Sequence, residues 1–175
     1  GPNAGHTLEF EGQKYVLRSV PSGIFQGDKV NVIGNGVVLD PALFRQEVEA
    51  LEASGHPLTE RLFISKKAHL ILPTHRLLDA AYEAAKGTSK IGTTGKVSRN
   101  GLRVGDLLDG FEAKYNAAID RHRRILESLH YDYAAALASI EAEWMEGVEF
   151  LKRFQLIDSE HYLNRCLAAN KSVLA

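Results

Sequence analysis

The chain of 175 residues is 45% hydrophobic and 25% charged, and its formal net charge is -1. That composition is ordinary for a globular protein and excludes the one-sided charge that marks nucleic-acid binders and membrane-surface proteins. One cysteine, Cys166, excludes an internal disulfide and fits a reducing cytoplasm, and no apolar run reaches the roughly 18–20 residues that would cross a bilayer.

The opening segment, GPNAGHTLEFEGQKY, lacks the charged-then-apolar pattern of a signal peptide, and it enters a glycine-containing loop without an initial Met. The sequence is therefore expected to be an internal piece of a longer protein. Thr7 to Phe10 and Lys14 to Val20 are β-prone runs separated by Glu11-Gly12-Gln13, which predicts a hairpin. Past Pro21-Ser22-Gly23, Lys29 to Ile33 reads as another strand ending at Gly34-Asn35-Gly36, and Val37-Val38-Leu39 leads into Asp40-Pro41. Asp before Pro predicts a helix start, because the carboxylate accepts from free N–H groups and proline suits the first helical position. Leu43, Phe44, Val48 and Leu51 keep one face apolar until Gly55 ends the helix. Arg61 to Ser65 is a further short strand, and strands alternating with a helix predict an α/β layer.

From Pro73 the pattern turns helical. Residues 73–86 predict a helix closed by Gly87, residues 88–101 a polar loop, and the rest carries helical periodicity almost to its end. Leu137, Ile140, Trp144, Val148 and Leu151 recur at steps of three and four, which gives one apolar stripe. A shorter helix falls around 159–169, and Lys171 to Ala175 is expected to open a buried strand. The predicted class is α/β: residues 1–70 belong to a central β-sheet core, 71–168 form an inserted all-helical subdomain, and 169–175 start a returning core strand.

Loops on a rigid scaffold carry function. Asn3-Ala4-Gly5-His6-Thr7 offers backbone N–H groups to an anion, a carbonyl or hydroxyl to a cation, and an imidazole that can donate a proton. Alone, the same run also reads as a solvated turn feeding a strand. Gly92-Thr93-Thr94-Gly95 sets two hydroxyls between glycines, which suits either a phosphate site or a plain connector. Arg99 and Arg103 suit bidentate phosphate contacts or simple surface charge. His69, His75, His122, His130 and His161 lack metal-ligand spacing, and no Cys/His cluster supports structural zinc. Trp144, Met145, Phe150 and Phe154 predict core, Glu141 and Glu143 a solvated helix face. No complete Walker-type phosphate loop is present in these residues.

Five blocks taken together are more specific than any one: Asn3 to Thr7, Pro21-Ser22-Gly23-Ile24, Ile33-Gly34-Asn35-Gly36-Val37-Val38, Lys90-Ile91-Gly92-Thr93-Thr94-Gly95, and Arg103-Val104-Gly105-Asp106-Leu107. In order and spacing they resemble the adenylosuccinate synthetase family. The resemblance is strong to about residue 109 and looser through the helical region. It implies a P-loop-NTPase-like nucleotide-binding core with residues 88–101 as an active-site loop. It also implies a ligase that joins IMP and L-aspartate at the expense of GTP, through 6-phosphoryl-IMP, with Mg²⁺. Carried over by residue, the resemblance implies that His6 is the catalytic proton donor. Asn3, Ala4, Gly5, His6, Thr94 and Arg99 would contact IMP, and Gly5, His6 and Thr7 would lie at the GTP phosphates. The Gly5 carbonyl would ligate Mg²⁺, and Arg99 would reach the neighbouring site of a homodimer.

The sequence departs from the family's pattern in three places. The upstream G-D-E-G-K-G-K loop, with its general base, and the downstream E-G-A-Q-G segment are not in these residues. Between Gly95 and Lys96 the family has about nine further residues, a length typical of mobile loops. The shortfall is read as such a loop left out of the sequence, with deletion as the alternative. Two other classes remain open at this stage: a non-catalytic nucleotide-binding relative, which would never have had the upstream loop, and a helical interaction module. The module predicts an exposed apolar stripe over residues 133–154.

Overall fold

The computed structural model describes residues 5–10, 12–86 and 101–174. The expected hairpin is present. Strand β1 (His6–Phe10) pairs antiparallel with β2 (Gln13–Leu17), placing His6 opposite Leu17 and Phe10 opposite Gln13. Gly12 takes φ +74° in the turn, a conformation glycine adopts without a Cβ penalty. Strand β2 stops at Leu17, short of the expected Val20, and the next backbone N–H groups turn to the Glu47 carboxylate.

Strand β3 (Asn31–Ile33) and the short β4 (Val38–Leu39) lead to helix α1 (Pro41–Ala53). The Asp40 carboxylate accepts from the N–H groups of Ala42 and Leu43 at 3.1 and 3.3 Å, as the Asp-Pro pair predicts. Gly55, at φ +88°, follows the helix's last turn. After β5 (Leu62–Ser65) and β6 (His69–Leu70) come helices α2 (Pro73–Lys86), α3 (Phe111–Ser128) and α4 (Ala134–Leu151). Strand β7 (Gln155–Ile157) and helix α5 (Ser159–Ala168) close the described chain.

The layer is α/β, as expected. A parallel three-stranded sheet runs in the order β3-β5-β7, with Ile33 beside Ile64 and Ile64 beside Leu156, and β4 pairs parallel with β6. Helix α1 packs Phe44, Val48 and Leu51 into a main core that also takes Trp144, Val148, Leu151 and Phe154. The approach of α1 to α4 is close enough that a Cβ on Gly147 would overlap the Pro41 carbonyl. A smaller second core of Leu77, Leu78, Ala81, Leu126 and Leu137 joins α2, α3 and α4.

The stripe on α4 is covered. Trp144 is 3% and Leu151 0% exposed, and the Trp144 indole N–H donates to the Ile71 carbonyl at 2.7 Å. That burial counts against a helical interaction module. The chain also differs from expectation near its end. Residues 171–174 form no strand and are exposed, with Leu174 fully so. A core strand appears earlier, as β7 beside β5, within the range predicted to be all helical.

Candidate active site

The Gly5-His6-Thr7 run lies at the open end of the β1–β2 hairpin, and all three residues are exposed. What holds that end in place is local and specific. Leu17, opposite His6, and Val20 are each 1% exposed and root the returning strand in the main core. Between them, the N–H groups of Arg18, Ser19 and Val20 converge on Glu47 of α1, at 2.8, 2.9 and 3.0 Å. Gly5 sits close against the partner strand: a Cβ there would lie 3.2 Å from Val16 Cγ1 and 3.5 Å from the Leu17 carbonyl oxygen. Further along the hairpin, Tyr15 packs against Phe25 and His56, with ring centroids 4.7 and 5.6 Å away. The arrangement presents an imidazole and a hydroxyl to solvent from a fixed backbone, which suits proton donation and phosphate contact.

A second polar cluster gathers at the C-terminal ends of the parallel strands, where open α/β sheets bind ligands. The loop after β3 reaches α5: Asn35 Nδ2 donates to Glu160 Oε1 at 3.0 Å, and Lys67 Nζ, after β5, donates to the same oxygen at 2.8 Å. Ser159 Oγ bridges Ser65 Oγ at 2.9 Å and Glu160 Oε2 at 3.0 Å. The hydrogen bond from Lys67 is the main reason the Glu160 carboxyl is held down to about 2, and Glu160 in turn holds the Lys67 amine above its ordinary value. The Gly34-Asn35-Gly36 block is thus tied to the ends of two neighbouring strands.

The Arg103 block is a seam. The Arg103 guanidinium donates to the Lys67 carbonyl at 2.7 Å, its backbone N–H to Asp106 at 2.7 Å, and the Gly105 N–H to the Lys66 carbonyl at 2.8 Å. A Cβ on Gly105 would lie 3.0 Å from both Lys66 Cβ and the Lys66 carbonyl oxygen, so a larger residue there would press on the Lys66 backbone. This seam fastens the chain that follows residue 100 to the turn after β5.

Of the residues singled out from sequence, Gly5, His6 and Thr7 are brought together. Asn3, Ala4, Thr94, Arg99 and the Gly95–Lys96 junction lie outside the described residues. Among the described residues no group of three or more His, Cys, Asp or Glu side chains could hold a metal ion. Glu141 and Glu143, read as a solvated helix face, have separate structural partners: Tyr115 Oη donates to Glu141 and Gln46 Nε2 to Glu143, both at 2.6 Å. Sequence reasoning missed Glu47, Lys67 and Glu160. Asn35 lay inside a recognised block, but a carboxylate whose partners are 27 to 29 residues away carries no local signal.

The adenylosuccinate synthetase family model matches residues 1–175. The synthetase of Bacteroides thetaiotaomicron is 70% identical over 183 residues, which takes in 99% of this chain and 43% of that protein. That of Parabacteroides distasonis is 65% identical over 184 residues, 100% of this chain and 43% of its own length. Those 184 aligned positions exceed this chain's 175 residues by nine. A solved structure described as fully ligated adenylosuccinate synthetase from Plasmodium falciparum superposes with a TM-score of 0.76 at 29% identity, over 99% of this chain and 42% of that one. The chain therefore spans less than half the length of the relatives it matches. With the expected hairpin, the parallel sheet and the match along every residue in agreement, this chain belongs to the adenylosuccinate synthetase family.

Proposed function

We propose that the full-length protein containing this chain ligates IMP and L-aspartate to adenylosuccinate with GTP as the phosphoryl donor, as a homodimeric cytosolic enzyme of AMP synthesis. The γ-phosphoryl group passes from GTP to the purine 6-oxygen, leaving GDP, and the aspartate amine then displaces phosphate from the ring. The observation that carries this reading is the placement of Gly5-His6-Thr7 at the rooted end of a hairpin, in a chain matched along its whole length by the family. His6, exposed there, donates its proton toward the transferring phosphoryl group. The Gly5 and His6 backbone and the Thr7 hydroxyl line the GTP phosphates, and Asn3, Ala4, Gly5, His6, Thr94 and Arg99 hold IMP, Arg99 from the neighbouring subunit. Phosphoryl transfer depends on this kind of positioning and charge neutralisation more than on covalent participation.

Mg²⁺ suits the oxygens available. It keeps several waters and takes few protein ligands, so the single Gly5 carbonyl fits as one member of its set, the rest coming from phosphates and from residues beyond this chain. Bound there, it would neutralise charge on the phosphates. The two-part division belongs to the same proposal: residues 1–70 serve the nucleotide-binding core, and 71–168 supply the helical subdomain with active-site loop 88–101. The pairing of β7 with β5 supports shortening that helical part to residues 71–154 and giving residues from 155 onward to the core. The test is an assay of the full-length protein for GTP- and IMP-dependent adenylosuccinate formation. Product formation that requires all three substrates is expected. Nucleotide binding without product would favour a non-catalytic relative.

A further inference from the structure

We propose that Glu47 is a positioning residue for His6, an inference that rests on the proton-donor role given to His6 above. Where β2 ends, three consecutive N–H groups leave the ladder, and each would need water or another acceptor. Glu47 takes all three: Oε1 accepts from Arg18 at 2.8 Å and Val20 at 3.0 Å, while Oε2 accepts from Ser19 at 2.9 Å. Such hydrogen bonds to an ionised carboxylate are among the stronger ones available to a backbone.

The anchor itself is fixed. Helix α1 is capped by Asp40, buries Phe44, Val48 and Leu51 on either side of Glu47 in sequence, and meets α4 at Gly147 with no room for a Cβ. Rigidity therefore passes from α1 through the carboxylate to Arg18, and from there to Leu17, the residue paired with His6. A further hairpin contact, Tyr15 with Phe25 and His56, lies opposite Leu8, two residues further from the open end. Among the described residues, Glu47 makes the polar contact from α1 at the end where His6 sits. A carboxylate is needed because an amide at the same place would turn one acceptor into a donor facing an N–H.

The experiment is a double-mutant cycle in the full-length protein, with kcat and the KM for each substrate read for Glu47→Gln, His6→Asn and the pair. Glu47→Gln is expected to lower kcat on the order of 10- to 100-fold, the effect of misplacing a reacting group by about an ångström, with KM for L-aspartate nearly unchanged. In the His6→Asn background the same change should lower kcat by less than about threefold, because residues that act as a unit are not additive. Equal losses in both backgrounds, or a kcat for Glu47→Gln near wild type, would overturn the Glu47 role and leave His6 as the proton donor. Near-wild-type turnover of His6→Asn alone would instead remove the reading on which this inference rests. Should Glu47→Gln fail to fold, Glu47→Asp goes through the same cycle. Hydrogen exchange on the folded variant should quicken at Arg18–Val20 and not within α1; unchanged exchange at Arg18–Val20 would count against the clamp.

Discussion

At Leu72 the chain enters α2 with no side chain able to accept a hydrogen bond, and His75, three residues on, supplies the acceptor. Its Nδ1 takes the Leu72 N–H at 3.0 Å, the part that Glu or Gln plays at this position of a capping box. An accepting Nδ1 places the proton on Nε2 of a neutral ring. The ring is 4% exposed and stands 5.0 Å from that of His122, whose Nδ1 meets Thr74 Oγ1 at 2.6 Å. Burial first, and the neighbouring His122 second, push the His75 imidazole from 6.5 to about 4; burial likewise lowers His122. A folded-state value below the unfolded one means that the unfolded chain binds more protons between those two values. Stability is therefore complete above about pH 6.5 and falls as pH drops towards about 4, by about 3 kcal/mol for His75. His75→Asn keeps an acceptor for Leu72 without the titration, so urea midpoints of the full-length variant should vary less between pH 7.5 and 5 than those of the parent. An equal pH dependence would contradict the role given to His75. Its spacing from His122 gave no hint of this contact, because the two residues meet only when α2 packs on α3.

The pairing of α1 with α4 carries the packing prediction at the level of elements. Gly147→Ala places a Cβ against the Pro41 backbone and 2.7 Å from the Ala42 N, and main-chain atoms at a capped helix start have little freedom to move away. Overpacking of this kind costs about 1–3 kcal/mol, read as a lower denaturation midpoint. Gly27→Ala is the control, since nothing lies within 4 Å of its Cβ position; an equal loss there would undermine the packing explanation. The start and stop of α1 were legible in sequence because Asp40, Pro41 and Gly55 act through their immediate neighbours. The stripe on α4 was legible because helical periodicity is local too. Strand β7 was not: it has three residues, directly follows a helix, and exists through parallel pairing with β5 some ninety positions earlier, Phe63 beside Gln155. Glu47 escaped notice for the same reason, a non-local contact made by a residue type that usually faces water.

Over the molecule as a whole, the chain spans 43% of the length of its relatives from Bacteroides thetaiotaomicron and Parabacteroides distasonis. The resemblance singled out Gly5, His6 and Thr7, and the β-prone runs predicted the hairpin they open, but spacing alone could not show that Glu47 anchors its open end. The nine positions by which the Parabacteroides distasonis alignment exceeds this chain equal in size the stretch expected between Gly95 and Lys96. Arg99 lies just beyond that junction, and its proposed reach into a neighbouring site sets a prediction for the dimer. Arg99→Leu in the full-length protein should raise the KM for IMP on the order of 10- to 100-fold, the loss of a charge-assisted hydrogen bond to a phosphate, while sedimentation still reports a dimer. An unchanged KM would remove Arg99 from the IMP site.

His6, at the open end of the β1–β2 hairpin, is proposed above as the proton donor of a synthetase active site. Steady-state turnover of the full-length His6→Asn variant, measured beside its affinity for IMP, tests it most directly. A fall in kcat on the order of 10²- to 10⁴-fold is expected, far larger than the loss of IMP affinity. Turnover near that of the parent protein would contradict it.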